Sequence, residues 1–236
     1  MVKFTSENAP KNNKKSEEQS RSRKQRAQRP AKARGSGVSG QLAGNASAVS
    51  PGARAVVLIG FMGAGKSSVG RALAELLGWG FEDLDDRIEC RELRKVHEIF
   101  RDSGESEFRR AEHAALKELM GELRGGGKRV VALGGGAFVQ ARNAALLVGA
   151  APTVFLDASV QELWRRCNQQ AGEQGTERPL LADLERFREL YQARRPHYLK
   201  AALRQETGGK NIDTIAREVM RALGLERDPR KPGEKK

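Results

Sequence analysis

The octet Gly60-Phe61-Met62-Gly63-Ala64-Gly65-Lys66-Ser67 has the spacing G-x-x-x-x-G-K-[ST], and its flanks narrow the possible folds more than any other feature of the chain. Just before it, residues 55–59 read Ala-Val-Val-Leu-Ile, an unbroken aliphatic run of the kind found in strands covered on both faces. Just after it, Val69, Leu73, Leu76 and Leu77 recur at helical spacing, which predicts a helix over 66–77 with one buried stripe and a stop at Gly78. A glycine-rich turn between a buried strand and a helix is suited to cradling phosphate. Backbone N–H groups can turn inward without Cβ clashes, and the helix N-terminus adds its positive end. Lys66 is then expected to reach the β- and γ-phosphates of ATP as a point charge, with the Ser67 hydroxyl on Mg²⁺. The bland alternative, a loop that merely joins two elements, needs both the match and its strand and helix context to be coincidental.

Two more short apolar runs, 129–133 and 153–156, are each separated from their neighbours by a plausible helix. Strand, helix, strand repetition predicts a parallel sheet covered on both faces, an α/β chain with three layers, α/β/α. A short strand at 80–83 and a weak one at 203–206 bring the expected sheet to five strands. The longest helices are expected at 106–123 and 184–203. Between them, 169–184 is polar and holds Gly172, Gly175 and Pro179, which reads as a mobile lid loop.

The net charge of +13 is unevenly distributed. Residues 1–54 hold 12 Lys or Arg against 3 acidic residues, and 226–236 hold five against three, so about +2 remains for the body between them. Neither end carries enough apolar surface to offset ordering, and both are expected to be disordered around a folded domain at 55–225. A basic run of this kind is most simply a solvated tail, so nucleic acid is not the expected partner, although the extension leaves that route open. Two distant cysteines and three scattered histidines fit a reducing, cytoplasmic setting without a zinc site. No apolar run is long enough to span a bilayer.

Asp83 and Asp85, two apart at the end of a short strand, are expected to emerge on one side at the carboxyl edge of the sheet, where α/β ligands bind. One could hold Mg²⁺ through water and the other accept a proton from an acceptor hydroxyl; the competing reading is an acidic turn capping the helix near Asp86. Gly134-Gly135-Gly136 follows its strand directly, so a ligand could approach its bare backbone, whereas Gly125-Gly126-Gly127 precedes the same strand and reads as a plain connector. Arg109, Arg178 and Arg194 stand where a bidentate carboxylate or phosphate grip would be useful, though each taken singly is as easily a solvated arginine.

In this order, the segments Gly-Phe-Met-Gly-Ala-Gly-Lys-Ser-Ser at 60–68, Asp-Leu-Asp at 83–85 and Gly-Glu-x-x-Phe-Arg at 104–109 resemble shikimate kinase. So do Gly-Gly-Gly at 134–136, Arg-Pro-Leu-Leu at 178–181, and Arg194 with Pro196 and Tyr198. The resemblance covers 55–225 and implies a P-loop kinase, active as a monomer, that phosphorylates shikimate to shikimate 3-phosphate at the expense of ATP, a step toward chorismate and aromatic amino acids. It implies Asp85 on a ring hydroxyl as base, Arg109 and Arg194 on the substrate carboxylate, and Gly134, Gly135 and Gly136 against the substrate. Gly63, Ala64, Gly65, Lys66, Ser67 and Ser68 would hold the nucleotide, with Ser67 and Asp83 toward the metal. Arg178 would close from the lid over the phosphates, and Arg166 and Lys210 would lie near the adenine. The rivals are a kinase for another hydroxy acid such as gluconate, and a nonenzymatic nucleotide- or nucleic-acid-binding protein.

Overall fold

A computed structural model describes residues 53–174 and 183–226, all within one of two units into which the chain divides, Leu42–Lys236. The basic extension up to residue 52, the lid segment 175–182 with Arg178, and the tail 227–236 lie outside the described residues. The chain runs β1 (Ala55–Ile59), α1 (Lys66–Leu77), β2 (Gly80–Asp83), α2 (Leu84–Glu92), α3 (Val96–Arg124) and β3 (Arg129–Ala132). It continues through a 3₁₀ turn (Ala137–Val139), α4 (Ala141–Leu147), β4 (Thr153–Asp157), α5 (Val160–Gln174), α6 (Leu184–Tyr198), β5 (Leu203–Glu206) and α7 (Ile212–Ala222).

The five strands are all parallel in the order β2-β3-β1-β4-β5. Burial explains the strand sequences. Every residue of β1 and β4 is buried, and β1 is a pure aliphatic run while β4 sets Val-Phe-Leu between Thr153 and Asp157; the edge strands β2 and β5 carry Glu82, Arg204 and Glu206. Helix α1 packs on β2 and β3 and against α7, while α3, α4 and α6 meet around the 3₁₀ turn. The core is centred on Val56, Leu58, Leu73, Leu116, Leu119, Val130 and Phe155, each less than 2 % exposed.

The parallel arrangement puts the carboxyl ends of the strands at one edge, and the connections leaving the adjacent strands β1 and β3 run in opposite directions along the sheet, from β1 to β2 and from β3 to β4. A crevice opens at such a point, and it is here that the glycine-rich turns fall.

Several boundaries differ from the sequence reading. The span Val96–Arg124 is two helices meeting at Gly104, whose φ of 78° and ψ of 175° are not helical, so the helix expected at 106–123 follows that break and a shorter, unanticipated one precedes it. The shorter helix opens at Val96, where the Glu98 carboxylate accepts from the Lys95 N–H at 2.8 Å and Glu89 accepts from the Val96 N–H at 3.0 Å. The last long helix ends at Tyr198 rather than 203, and it runs through Pro196, whose missing N–H leaves the Gln192 carbonyl without its helical donor. The polar stretch from 169 begins as helix, since α5 continues to Gln174. Among the described residues no helix is long and apolar enough to cross a membrane.

Candidate active site

The turn after β1 wraps the N-terminus of α1. Gly63 and Gly65 adopt φ of +75° and +85°, and a Cβ at Gly63 would sit 2.7 Å from Cys167 Sγ and 2.8 Å from the Leu163 carbonyl. No larger residue fits there. Lys66 folds over the turn and donates to the Gly60 and Phe61 carbonyls, both at 3.0 Å. Burial pulls its pKa below the ordinary lysine value and Arg194 adds to the pull, while Asp85 and Asp83 oppose it. Its ammonium is thus a poorly hydrated charge suited to a phosphate.

Asp83 and Asp85 do share a site, though not by strand alternation. Asp83 is the last residue of β2 and caps α2, accepting from the Asp85 N–H at 3.1 Å, and Asp85 stands in the first turn of α2. The capping reading is borne out, with the helix starting at Leu84, and it leaves Asp85 beside Asp83. The other oxygen of Asp83 accepts from Ser67 Oγ at 2.6 Å. A hydroxyl and a carboxylate converge beside the cradle, a hard-oxygen pair fitted to Mg²⁺, which needs few protein ligands when phosphates supply the rest. Asp85 is pushed up to about 6, first by burial and then by the neighbouring Asp83 charge, with Lys66 opposing. A carboxylate titrating near neutrality is suited to accept a proton in mid-reaction.

The glycine triplet after β3 organises the rest. A Cβ on Gly134 would lie 2.7 Å from Asp85 Oδ1, one on Gly135 3.5 Å from Arg194 Nη1, and one on Gly136 2.6 Å from Arg109 Nη2. Three consecutive residues thus face three charged groups brought from α2, α6 and α3. Gly135 also lies against the cradle, with Gly60 O and Met62 N at 3.7 and 3.8 Å from the same Cβ position. Arg194 therefore stands beside the cradle, close enough for its charge to act on Lys66, and Arg109 stands one residue further along the triplet.

Each arginine is held from behind. Glu112, fully buried, takes two bonds from Arg109 Nη1 at 2.9 and 3.0 Å, and Glu105 accepts from its Nε and Nη2 at 3.2 and 3.1 Å. Asn143, also buried, donates to Glu112 at 3.4 Å and to the Ala137 carbonyl at 3.1 Å, which ties the helix to the turn after the glycines. Burial raises the Glu112 pKa, and Arg109 counters it. Arg194 lies 5.8 Å above the Phe61 ring, and Phe61 meets Phe187 and Tyr191 of α6 edge-on. Tyr198 donates to the Gly135 carbonyl, and burial pushes its phenol up to about 12.

Beyond the cradle a cavity of about 590 Å³ is lined by Gly63, Ala64, Gly65, Ser68, Glu162, Arg166, Lys210 and Ile215, among others. Arg166 is fixed by Glu162 (2.8 Å) and by the Thr207 hydroxyl and carbonyl (3.2 and 3.0 Å); Lys210 pairs with Glu218 at 2.6 Å. Glu112, Asn143, Asp157 and Thr207 were not singled out from sequence. Glu112 did leave a signal: it occupies the apolar stripe of α3 between Phe108 and Leu116, where an isolated acid requires a buried partner.

A shikimate kinase family model matches residues 62–224. The shikimate kinase of Thermus thermophilus is 40% identical over 171 residues, 71% of this chain and 89% of that protein, and the Caulobacter vibrioides enzyme is 40% identical over 174 residues, 72% and 82% respectively. Among solved structures, shikimate kinase from Acinetobacter baumannii in complex with shikimate superposes with a TM-score of 0.64 at 33% identity, covering 72% of this chain and 93% of that one. The Aquifex aeolicus enzyme gives 0.62 at 31%, covering 72% and 96%. The chain belongs to the shikimate kinase family.

Proposed function

We propose that this protein transfers the γ-phosphoryl group of ATP to a ring hydroxyl of shikimate, giving shikimate 3-phosphate and ADP, and that it does so as a monomer in the cytoplasm. The observation that carries the reading is the glycine triplet. Asp85, Arg194 and Arg109 face three successive bare backbone positions, the middle one shared with the phosphate cradle. A flat anion with several hydroxyls fits against such a surface, its carboxylate between two guanidinium groups and a hydroxyl toward Asp85.

In this assignment the turn 60–67 and the N-terminus of α1 hold the triphosphate through backbone N–H groups, and Lys66 carries its charge to the β- and γ-phosphates. Arg166 and Lys210 line the adenine side. Ser67 and Asp83 would hold Mg²⁺, which when bound neutralises charge between the β- and γ-phosphates. Arg109 and Arg194 orient the acid. Asp85 accepts the hydroxyl proton as the new O–P bond forms and the bond between the γ-phosphorus and its bridging oxygen breaks, leaving ADP. Positioning and charge stabilisation supply most of the rate, since phosphoryl transfer asks little covalent work of the protein. Arg178, by resemblance, closes over the phosphates.

Coupled ADP release measured with and without shikimate tests the reading, with gluconate and other hydroxy acids alongside. Release that depends on shikimate is expected. Faster release with gluconate, or release indifferent to any acid, would overturn it.

A further inference from the structure

The last residue of β4, Asp157, lies outside the cleft, yet it is the most heavily used carboxylate at that edge of the sheet. Its side chain is 6 % exposed. Oδ1 faces the Tyr191 hydroxyl at 3.2 Å, and Oδ2 accepts from Arg195 Nη2 at 3.1 Å and from Arg204 Nε at 2.8 Å. Arg195 Nε also donates to the Tyr191 hydroxyl at 3.1 Å. One acid on a fully buried central strand therefore grips two successive turns of α6, at positions 191 and 195, four residues apart on one side of the helix.

That grip matters because Arg194 is the very next side chain. Around a helix, neighbouring residues are about 100° apart, so fixing 191 and 195 on the flank fixes the angle at which 194 leaves the axis. The inner face of α6 rests on Phe61 through aromatic edges, and such contacts tolerate rotation better than a planar guanidinium fork does. The same acid also reaches the other pocket. The Asp157 carbonyl accepts from the Thr207 N–H at 2.8 Å and from its hydroxyl at 3.2 Å, and Thr207 in turn accepts from Arg166 on the wall of the nucleotide cavity.

We infer that Asp157 is a positioning residue for the acid clamp, setting through Arg195 and Tyr191 the rotation of α6 that aims Arg194 at Gly135. The inference rests on the assignment of Arg194 to the substrate carboxylate. Asp157→Asn keeps the volume and the backbone links to Thr207 but cannot serve two arginines as a charged acceptor. The KM for shikimate is expected to rise about tenfold, with kcat within about threefold and the KM for ATP within about twofold.

Arg195→Lys, which loses the planar fork but keeps the charge, should follow the same pattern, and it carries the test if Asp157→Asn lacks a cooperative melt. Arg204→Ala removes the third partner without touching α6 and should leave the shikimate KM unchanged. In a double-mutant cycle, Asp157→Asn on an Arg194→Ala background should add less than half of its effect on the wild-type background.

Equal rises in both KM values, full additivity with Arg194→Ala, or the same shikimate KM shift from Arg204→Ala would each overturn the inference and leave Asp157 a general structural anchor. An unchanged shikimate KM in Asp157→Asn would also overturn it, while leaving the functional reading intact. No shikimate-dependent turnover in the unmutated chain would take both readings down.

Discussion

The phosphate cradle and the acid clamp proposed above are built in opposite ways. The phosphate cradle is one run of eight residues whose binding groups are mainly backbone N–H, shaped by glycines and by the start of α1. The acid clamp is assembled from α2, α3, α6 and the turn after β3, and its binding groups are side chains that only the folded chain brings together. Local geometry suffices for the first. The second depends on packing at a distance, through Glu112 behind Arg109 and Phe61 beneath Arg194. A cradle of this sort therefore carries a readable motif, whereas a clamp leaves only scattered arginines in the sequence.

The contrast breaks most visibly at Lys66. Lys66→Ala is expected to lower kcat on the order of 10²–10³-fold with a modest change in shikimate KM, because the lost charge acts mainly on the transferring group. Stopped or quenched single-turnover measurements would locate the loss. Arg109→Ala should do the reverse, raising shikimate KM roughly 30- to 100-fold while ATP binding, read by a fluorescent analogue, persists. If both ligands weakened equally, the two pockets would not be separable units. A gentler probe is Gly136→Ala. Its methyl meets the Arg109 guanidinium at 2.6–2.9 Å, and that flexible end can shift, so the protein should fold and show about a tenfold rise in shikimate KM.

Asp85 sits where the pockets adjoin, and its titration sharpens the comparison. With a folded value of about 6 against an ordinary 3.8, kcat/KM should fall as pH drops through 6 and the base is protonated. Stability runs the other way. Between about pH 4 and 6 the native protein retains a proton that the unfolded chain has released, so stability declines as pH rises through that window. Asp85→Asn should therefore abolish most turnover yet raise Tm by a few degrees at pH 7.5, about 1–2 kcal/mol, in a thermal melt. A lower Tm would mean that the carboxylate is stabilised by its surroundings. The smallest effect is expected at Leu93, an exposed leucine held at φ 53° where α2 ends. Leu93→Gly relieves that strain and should gain about 1 kcal/mol in denaturant unfolding, with both KM values unchanged.

The legible parts of the molecule were those written in contiguous residues. Residues 55–59 and 153–156 announce central strands because both faces of each are covered, and the octet at 60–67 announces its turn. The placement of Gly134–Gly136 after a strand, against Gly125–Gly127 before it, was enough to separate the triplet that faces Asp85, Arg194 and Arg109 from a connector. Hidden were the parts set by tertiary pairing. Nothing near Asp157 in sequence points to Tyr191, Arg195 and Arg204, which lie 34 to 47 positions away. The helix after Gly104 was anticipated because that glycine does interrupt the span, whereas the shorter helix from Val96 to the break was not. The joint placement of Asp83 and Asp85 was anticipated, but by the wrong route: a strand end followed by a helical first turn, not strand alternation.

The second glycine triplet has a use of its own. Gly125, Gly126 and Gly127 are exposed, join α3 to β3 at the end of the sheet remote from both pockets, and a side chain on Gly127 would meet nothing within 4 Å. Since every strand points the same way, all the chemistry is crowded at one rim and the opposite rim is left as neutral ground. A tag, a reporter peptide or a new pair of chain ends placed at 125–127 should be carried without cost to turnover, whereas the same insertion nine residues later would cut the reaction centre in two.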